Sequence, residues 1–190
     1  VAIGMSALQE NRATYNTAIG NNAMRGTANT NLTGGENVAT GAAAMKLNIS
    51  GERNVASGRS SLYSNTTGSD NTAVGRHALG ANTTASYNTA LGDTSLAANT
   101  TGEYNTAVGQ NALKASVTDG NNVAVGMDCL TLVDGGAQTT AIGAFAGDTT
   151  TTGNYNIMIG FQARASSATA SNQITLGNTT NDNLRCNDTS

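Results

Sequence analysis

The sequence predicts an all-β chain, a parallel β-solenoid (β-roll) of about eleven coils of 17 residues each, and three observations carry that expectation. The first is a period: Gly41, Gly58, Gly75, Gly92, Gly109, Gly126, Gly143, Gly160 and Gly177 follow one another every 17 residues without a slip. The second is the motif each glycine closes, as in Asn71-Thr72-Ala73-Val74-Gly75 and Asn105-Thr106-Ala107-Val108-Gly109. The third is composition. Proline and tryptophan are absent, aromatics are 4% and charged residues 11%. The bulk to fill a wide globular core is missing, and so is the charge that keeps a chain disordered.

Upstream, Gly4 and Gly20 close the same motif at looser spacings of 16 and then 21 residues, so four extra residues around Asn29 to Leu32 are expected to bulge out. The motif is a poor helix, because its β-branched and glycine positions all cost helix propensity. Seventeen residues also fall well short of the 30 or more a helical hairpin repeat requires. The alternation fits a short strand. Residues one and three before the glycine point one way, and Ala and Asn point the other. After the glycine turns the chain, x-Ala-Leu is expected to form a second short strand. Loops such as Asn65-Thr66-Thr67-Gly68 then lead back to the start.

Stacking such coils aligns equivalent residues. Asn16, Asn37, Asn54, Asn71, Asn88, Asn105, Asn122 and Asn156 should form one internal ladder, their amides bonded along the axis. If the apolar residues flanking the Ala column fill the coil, Ala faces outward. A strip of Ala then lets neighbouring rods approach closely, and a homotrimer is the expected assembly. Copies degrade toward the end. Arg164 stands where Leu is expected, and Gln173-Ile174-Thr175-Leu176-Gly177 is the last recognisable unit. The division is therefore a solenoid domain over 1–177 and a polar segment over 178–190 leading to a further domain. Because the chain opens inside a motif, at Val1-Ala2-Ile3-Gly4, it reads as a stretch of a longer polypeptide.

Chemistry is sparse. The net charge of −3 gives no basic footprint for nucleic acid, and no run of 18 apolar residues suits membrane insertion. The single histidine, His77, lies in a turn with nothing to orient it as a base. Asp119 and Asp134 are near enough to one repeat apart to stack, a weak hint of the carboxyl pair a glycosidase uses. Asp93, Asp128 and Asp148 share no offset, which speaks against a calcium ladder. Gly-x-x-Ala fails as a dinucleotide fingerprint without a helix to follow it. Cys129 replaces the Ala three places after the glycine and reads as a small buried thiol, and Cys186 shows no metal spacing with it. Catalytic, cofactor-binding and metal residues are therefore expected to be none, and the chain is expected not to be an enzyme.

The Asn-Thr/Val-Ala-Val/Ile-Gly-x-x-Ala unit resembles the repeat of trimeric autotransporter adhesin heads, which are left-handed parallel β-rolls wound into trimers. The 17-residue form, with Leu four places after the glycine and a Thr-Thr-Gly loop, is similar to phage tail-fibre repeats. Asn172-Gln173-Ile174-Thr175-Leu176-Gly177-Asn178, followed by Leu184-Arg185-Cys186, resembles the stretch before the self-cleaving intramolecular chaperone of such fibres. The resemblance implies a structural segment of a virion tail fibre, or alternatively an adhesin head on a bacterial surface. Its partners would be two further copies of itself, other tail proteins and a host glycan or protein. The variable loops Arg25 to Thr33, Lys114 to Asp119 and Asp148 to Thr152 are the candidates for glycan contact. Ice binding is a weaker reading, because the Thr17/Val38/Val55/Thr72 column mixes Thr with Val.

Overall fold

The computed structural model describes residues 1–9, 12–26 and 33–180. Among them there is no helix; eleven strands form one parallel sheet in sequential order. The strands are β1 (Ala2–Ile3), β2 (Thr17–Ile19), β3 (Val38–Thr40), β4 (Val55–Ser57), β5 (Thr72–Val74), β6 (Thr89–Leu91), β7 (Thr106–Val108), β8 (Val123–Val125), β9 (Thr140–Ile142), β10 (Ile157–Ile159) and β11 (Ile174–Leu176). Eleven rungs in series are joined by ten turns of the chain, so the molecule is a β-solenoid of about ten turns. At a strand spacing of about 4.8 Å the first and last rungs lie about 48 Å apart. The residues around Asn29 to Leu32 and the segment from Asn181 onward, Leu184 to Cys186 included, lie outside the described residues.

Glycine stacks on glycine. Gly41 has φ +130°, and a Cβ added there would lie 2.6 Å from the carbonyl oxygen of Gly58. Only a residue without Cβ permits both that φ and that approach. Register follows from this column: Ala73 pairs with Ala56 and Ala90, and Ala107 with Ala90 and Ala124. The irregular spacings upstream leave it intact, since Thr17 pairs with Val38 and Ala2 with Ala18.

Two expectations are corrected. Each coil carries one strand, not two. The residues two and four after the glycine take left-handed φ, as in His77 (+57°) and Leu79 (+50°) or Asn111 (+56°) and Leu113 (+50°). A left-handed leucine costs about 1–2 kcal/mol. Complete burial of its side chain returns about 1.5–3 kcal/mol, so the turn wins. The peptide groups still bond along the axis: Leu62 N–H donates to Ala78 O at 3.0 Å and Ser64 N–H to Gly80 O at 3.1 Å.

The second correction concerns direction. The Ala column points inward, not outward: Ala18, Ala39, Ala56, Ala73, Ala90, Ala107, Ala124 and Ala141 are fully buried. The flanking Val, Ile and Leu residues point outward. Alternation had already placed Ala and Asn on the same side. The coil is too narrow opposite the Leu and Met column for both a wall of Val and the asparagines. It closes over Ala, Asn and the second small column of Ala23, Ala44, Ala78, Ala112 and Ala146.

The asparagine ladder is present, with Thr139 completing it between Asn122 and Asn156. Its hydrogen bonds differ from direct amide-to-amide contact. Each Oδ1 accepts the backbone N–H of the next ladder residue at 2.8 to 3.0 Å, from Asn16 and Asn37 through to Asn122 and Thr139. Each Nδ2 donates to a carbonyl in the corner leading to the next rung, as from Asn54 to Gly68 and from Asn71 to Ala85, both 2.9 Å. Every donor and acceptor buried with the side chain is thereby used.

Candidate functional surfaces

A second ladder, read in the sequence only as loop, lies seven residues after the glycine: Asn48, Asn65, Asn82 and Asn99, all buried. Asn65 Nδ2 donates to Asn48 Oδ1 at 2.8 Å and to Gly68 O at 2.9 Å. The Gly68 carbonyl thus accepts from both ladders. These two internal columns leave the exterior free to vary.

The expected loops do share one edge. Lys114 and Asp148 occupy the same place in the repeat, five after the glycine, and Arg25 does as well. Asp148 is held there by Arg164, whose Nε and Nη2 lie 2.5 and 2.6 Å from its two oxygens. The part of the first loop from Thr27 to Leu32 lies outside the described residues.

The sequence expected nothing catalytic, and the groups it singled out are held as structure. His77 is a half-buried turn residue. Asp119 is buried; its Oδ2 accepts the N–H of Gly135 at 2.8 Å, and its own carbonyl accepts Asn105 Nδ2 at 2.8 Å. Burial raises its carboxyl above the ordinary range, opposed by the Gly135 N–H and reinforced by the charge of Asp134. This acid braces a corner. Cys129 is buried with its Sγ 3.3 Å from Ala141 O, and burial pushes its thiol up to about 12. Among the described residues no group of three or more His, Cys, Asp or Glu is placed to hold a metal ion. No helix is long and apolar enough to cross a membrane.

Two surfaces have no counterpart in an ordinary solvated exterior. One is the outer face of the sheet, where residues one and three before each glycine form two parallel columns. Ile19, Val38, Leu91, Ile142, Ile157 and Ile159 are each between 38% and 46% exposed. Successive rungs carry the strip along the rod, interrupted at Thr40 and Ser57. Soluble monomers seldom leave a contiguous apolar strip of this extent open to water.

The other is an edge of tyrosines. Four of the five tyrosines, Tyr15, Tyr87, Tyr104 and Tyr155, stand five residues before a motif glycine, and all four are exposed. All four take left-handed φ between +57° and +62°. Bonds from Tyr87 N–H to Ser69 O at 3.1 Å and from Tyr155 N–H to Ala137 O at 3.2 Å hold that shape. The rings of Tyr87 and Tyr104 stack with centroids 5.0 Å apart and planes within 4°. Tyr15 borders an open groove of about 290 Å³ together with Arg12, Thr14, Glu36 and Glu52. A fixed offset from the glycine was a signal the sequence already carried for this edge.

In comparisons with known proteins, no family model, no curated protein and no solved structure matches the chain.

Proposed function

We propose that this chain is a structural segment of a trimeric fibre, a rod giving length and stiffness to a viral tail fibre that presents host-contacting elements. The reading assigns it no catalysis and no cofactor. The single observation that supports it most is the apolar outer face of the sheet. Two columns of Val, Ile, Leu and Thr run about 48 Å, in register with the rod axis. Three such faces turned toward a common axis would remove them all from water, and a straight rod keeps the contact continuous from rung to rung. The inward Ala column plays no part in this association. The tail-fibre attribution rests on the 17-residue repeat and its Thr-Thr-Gly loops.

Light scattering on the purified chain tests the reading. A mass three times 19.0 kDa is expected, and Leu91→Asp combined with Ile142→Asp should give monomers that keep the β-sheet circular dichroism. A wild-type chain that stays monomeric at micromolar concentration would remove the proposal.

A further inference from the structure

We propose that the tyrosine edge from Tyr87 to Asn172 is a binding strip for an extended, uncharged β-1,4-linked N-acetylhexosamine chain lying parallel to the rod. The column five places before the glycine reads Tyr87, Tyr104, Asn121, Gln138, Tyr155 and Asn172 over six successive rungs, and every one of them is exposed. It contains no carboxylate and no cation. The same column nearer the start carries Glu36, Arg53 and Asp70, where Arg53 is occupied by bonds of 2.8 and 3.0 Å to Asp70.

Three features select the ligand. First, side chains recur at the strand spacing of about 4.8 Å, close to the repeat of an extended β-1,4-linked pyranose chain, so successive sugars meet successive rungs. Second, the rings are fixed and tilted. Parallel rings in van der Waals contact are about 3.5 Å apart, whereas the centroids of Tyr87 and Tyr104 are 5.0 Å apart. The pair is therefore slipped, and each ring offers part of its face to solvent as well as its edge. Equatorially substituted pyranoses present flat faces of C–H bonds, which stack on such rings. Third, Asn121, Gln138 and Asn172 each offer an amide donor and an amide acceptor. An acetamido group complements both, and a plain hydroxyl or carboxylate does not. The left-handed backbone of the column holds every side chain in a preset direction, which lowers the ordering cost of binding.

The strip does not depend on association in threes. The test uses the full chain and glycol chitin cast in a native gel, with chitohexaose as the competitor. Retarded migration, reversed by chitohexaose, is expected. Tyr87→Ser with Tyr104→Ser should weaken retardation by about tenfold, and Tyr155→Ser by less, since one platform of three is removed. Tyr63→Ser, the tyrosine outside the column, should bind like wild type. Unretarded wild-type protein overturns the proposal, as does undiminished binding by the double variant. Loss of binding with a changed mass in light scattering also overturns it, because the tyrosines would then be contacts between copies. A monomer that binds glycol chitin would keep the strip and remove the fibre reading, so the two failures are distinct.

Discussion

Replacing Asn71 by alanine removes a side chain that serves two rungs at once. Its Oδ1 accepts Asn88 N–H at 3.0 Å, and its Nδ2 donates to Ala85 O at 2.9 Å and Asn54 Oδ1 at 3.1 Å. The losses are unequal. Ala85 O keeps a bond from Asn82 Nδ2 at 3.0 Å, and Asn54 Oδ1 keeps the N–H of residue 71 at 2.9 Å. Asn88 N–H is left buried without a partner, which costs about 1–3 kcal/mol. The vacated carboxamide volume adds about 1 kcal/mol. The expected destabilisation is about 3–4 kcal/mol. For a urea slope of about 2 kcal/mol/M the midpoint falls by about 1.5–2 M. Gln110→Ala, on the exposed side, is the matched control and should shift it by less than about 0.3 M. Asn71→Asp sharpens the test. The carboxyl keeps one acceptor for Asn88 but turns an oxygen toward Ala85 O, so burial and repulsion raise its folded pKa above the unfolded value of about 4. A group raised in this way does least harm below the unfolded value. The deficit should therefore be small at about pH 4 and grow as pH rises through the folded pKa. A midpoint shift under about 0.5 M for the alanine variant, or a pH-independent deficit for the aspartate variant, refutes the ladder as the main internal tie.

Gly92→Ala places a Cβ 2.5 Å from Gly109 O at φ +138°, and should cost more than about 4 kcal/mol or abolish soluble expression. Gly80→Ala, at a place where other coils hold Ala97, Lys114 and Tyr63, should stay within about 1 kcal/mol of wild type in the same melt. With its thiol pushed up to about 12, Cys129 should resist iodoacetamide at about pH 8 in native protein and react once urea unfolds it, as peptide mapping will show. The Arg53 guanidinium, by hydrogen bond and charge, holds the Asp70 carboxyl below its usual range. Its carbon-13 titration should move back toward the ordinary value in Arg53→Gln. A depressed carboxyl stabilises above its unfolded pKa and loses that contribution as pH falls, but both partners meet solvent, so the melting temperature should barely change.

Period, strand positions and the first asparagine column were legible because they repeat at fixed offsets from glycine. Direction was not. Val74 and Ala73 are both apolar, and only the width of the coil decides which of them goes inside. The second strand was misread because no propensity scale anticipates left-handed Leu79 or Leu113; stacking bonds and burial impose that shape from outside the local sequence. Asn65 and Asn82 were read as loop residues since Thr-Thr-Gly follows them, although their 17-residue recurrence marks a buried column as plainly as Asn71 does. The tyrosine edge was open to the same counting and passed over, because surface aromatics seldom signal architecture.

The irregular step between Gly20 and Gly41 has an engineering meaning. Four residues beyond the period enter there, yet Thr17 and Val38 still sit side by side. Pairing is governed by glycines and internal amides, not by how much chain travels around the outside. A corner of this kind should host a grafted peptide at a chosen height on the rod, and a copied 17-mer should lengthen it by one increment of about 4.8 Å without disturbing its neighbours.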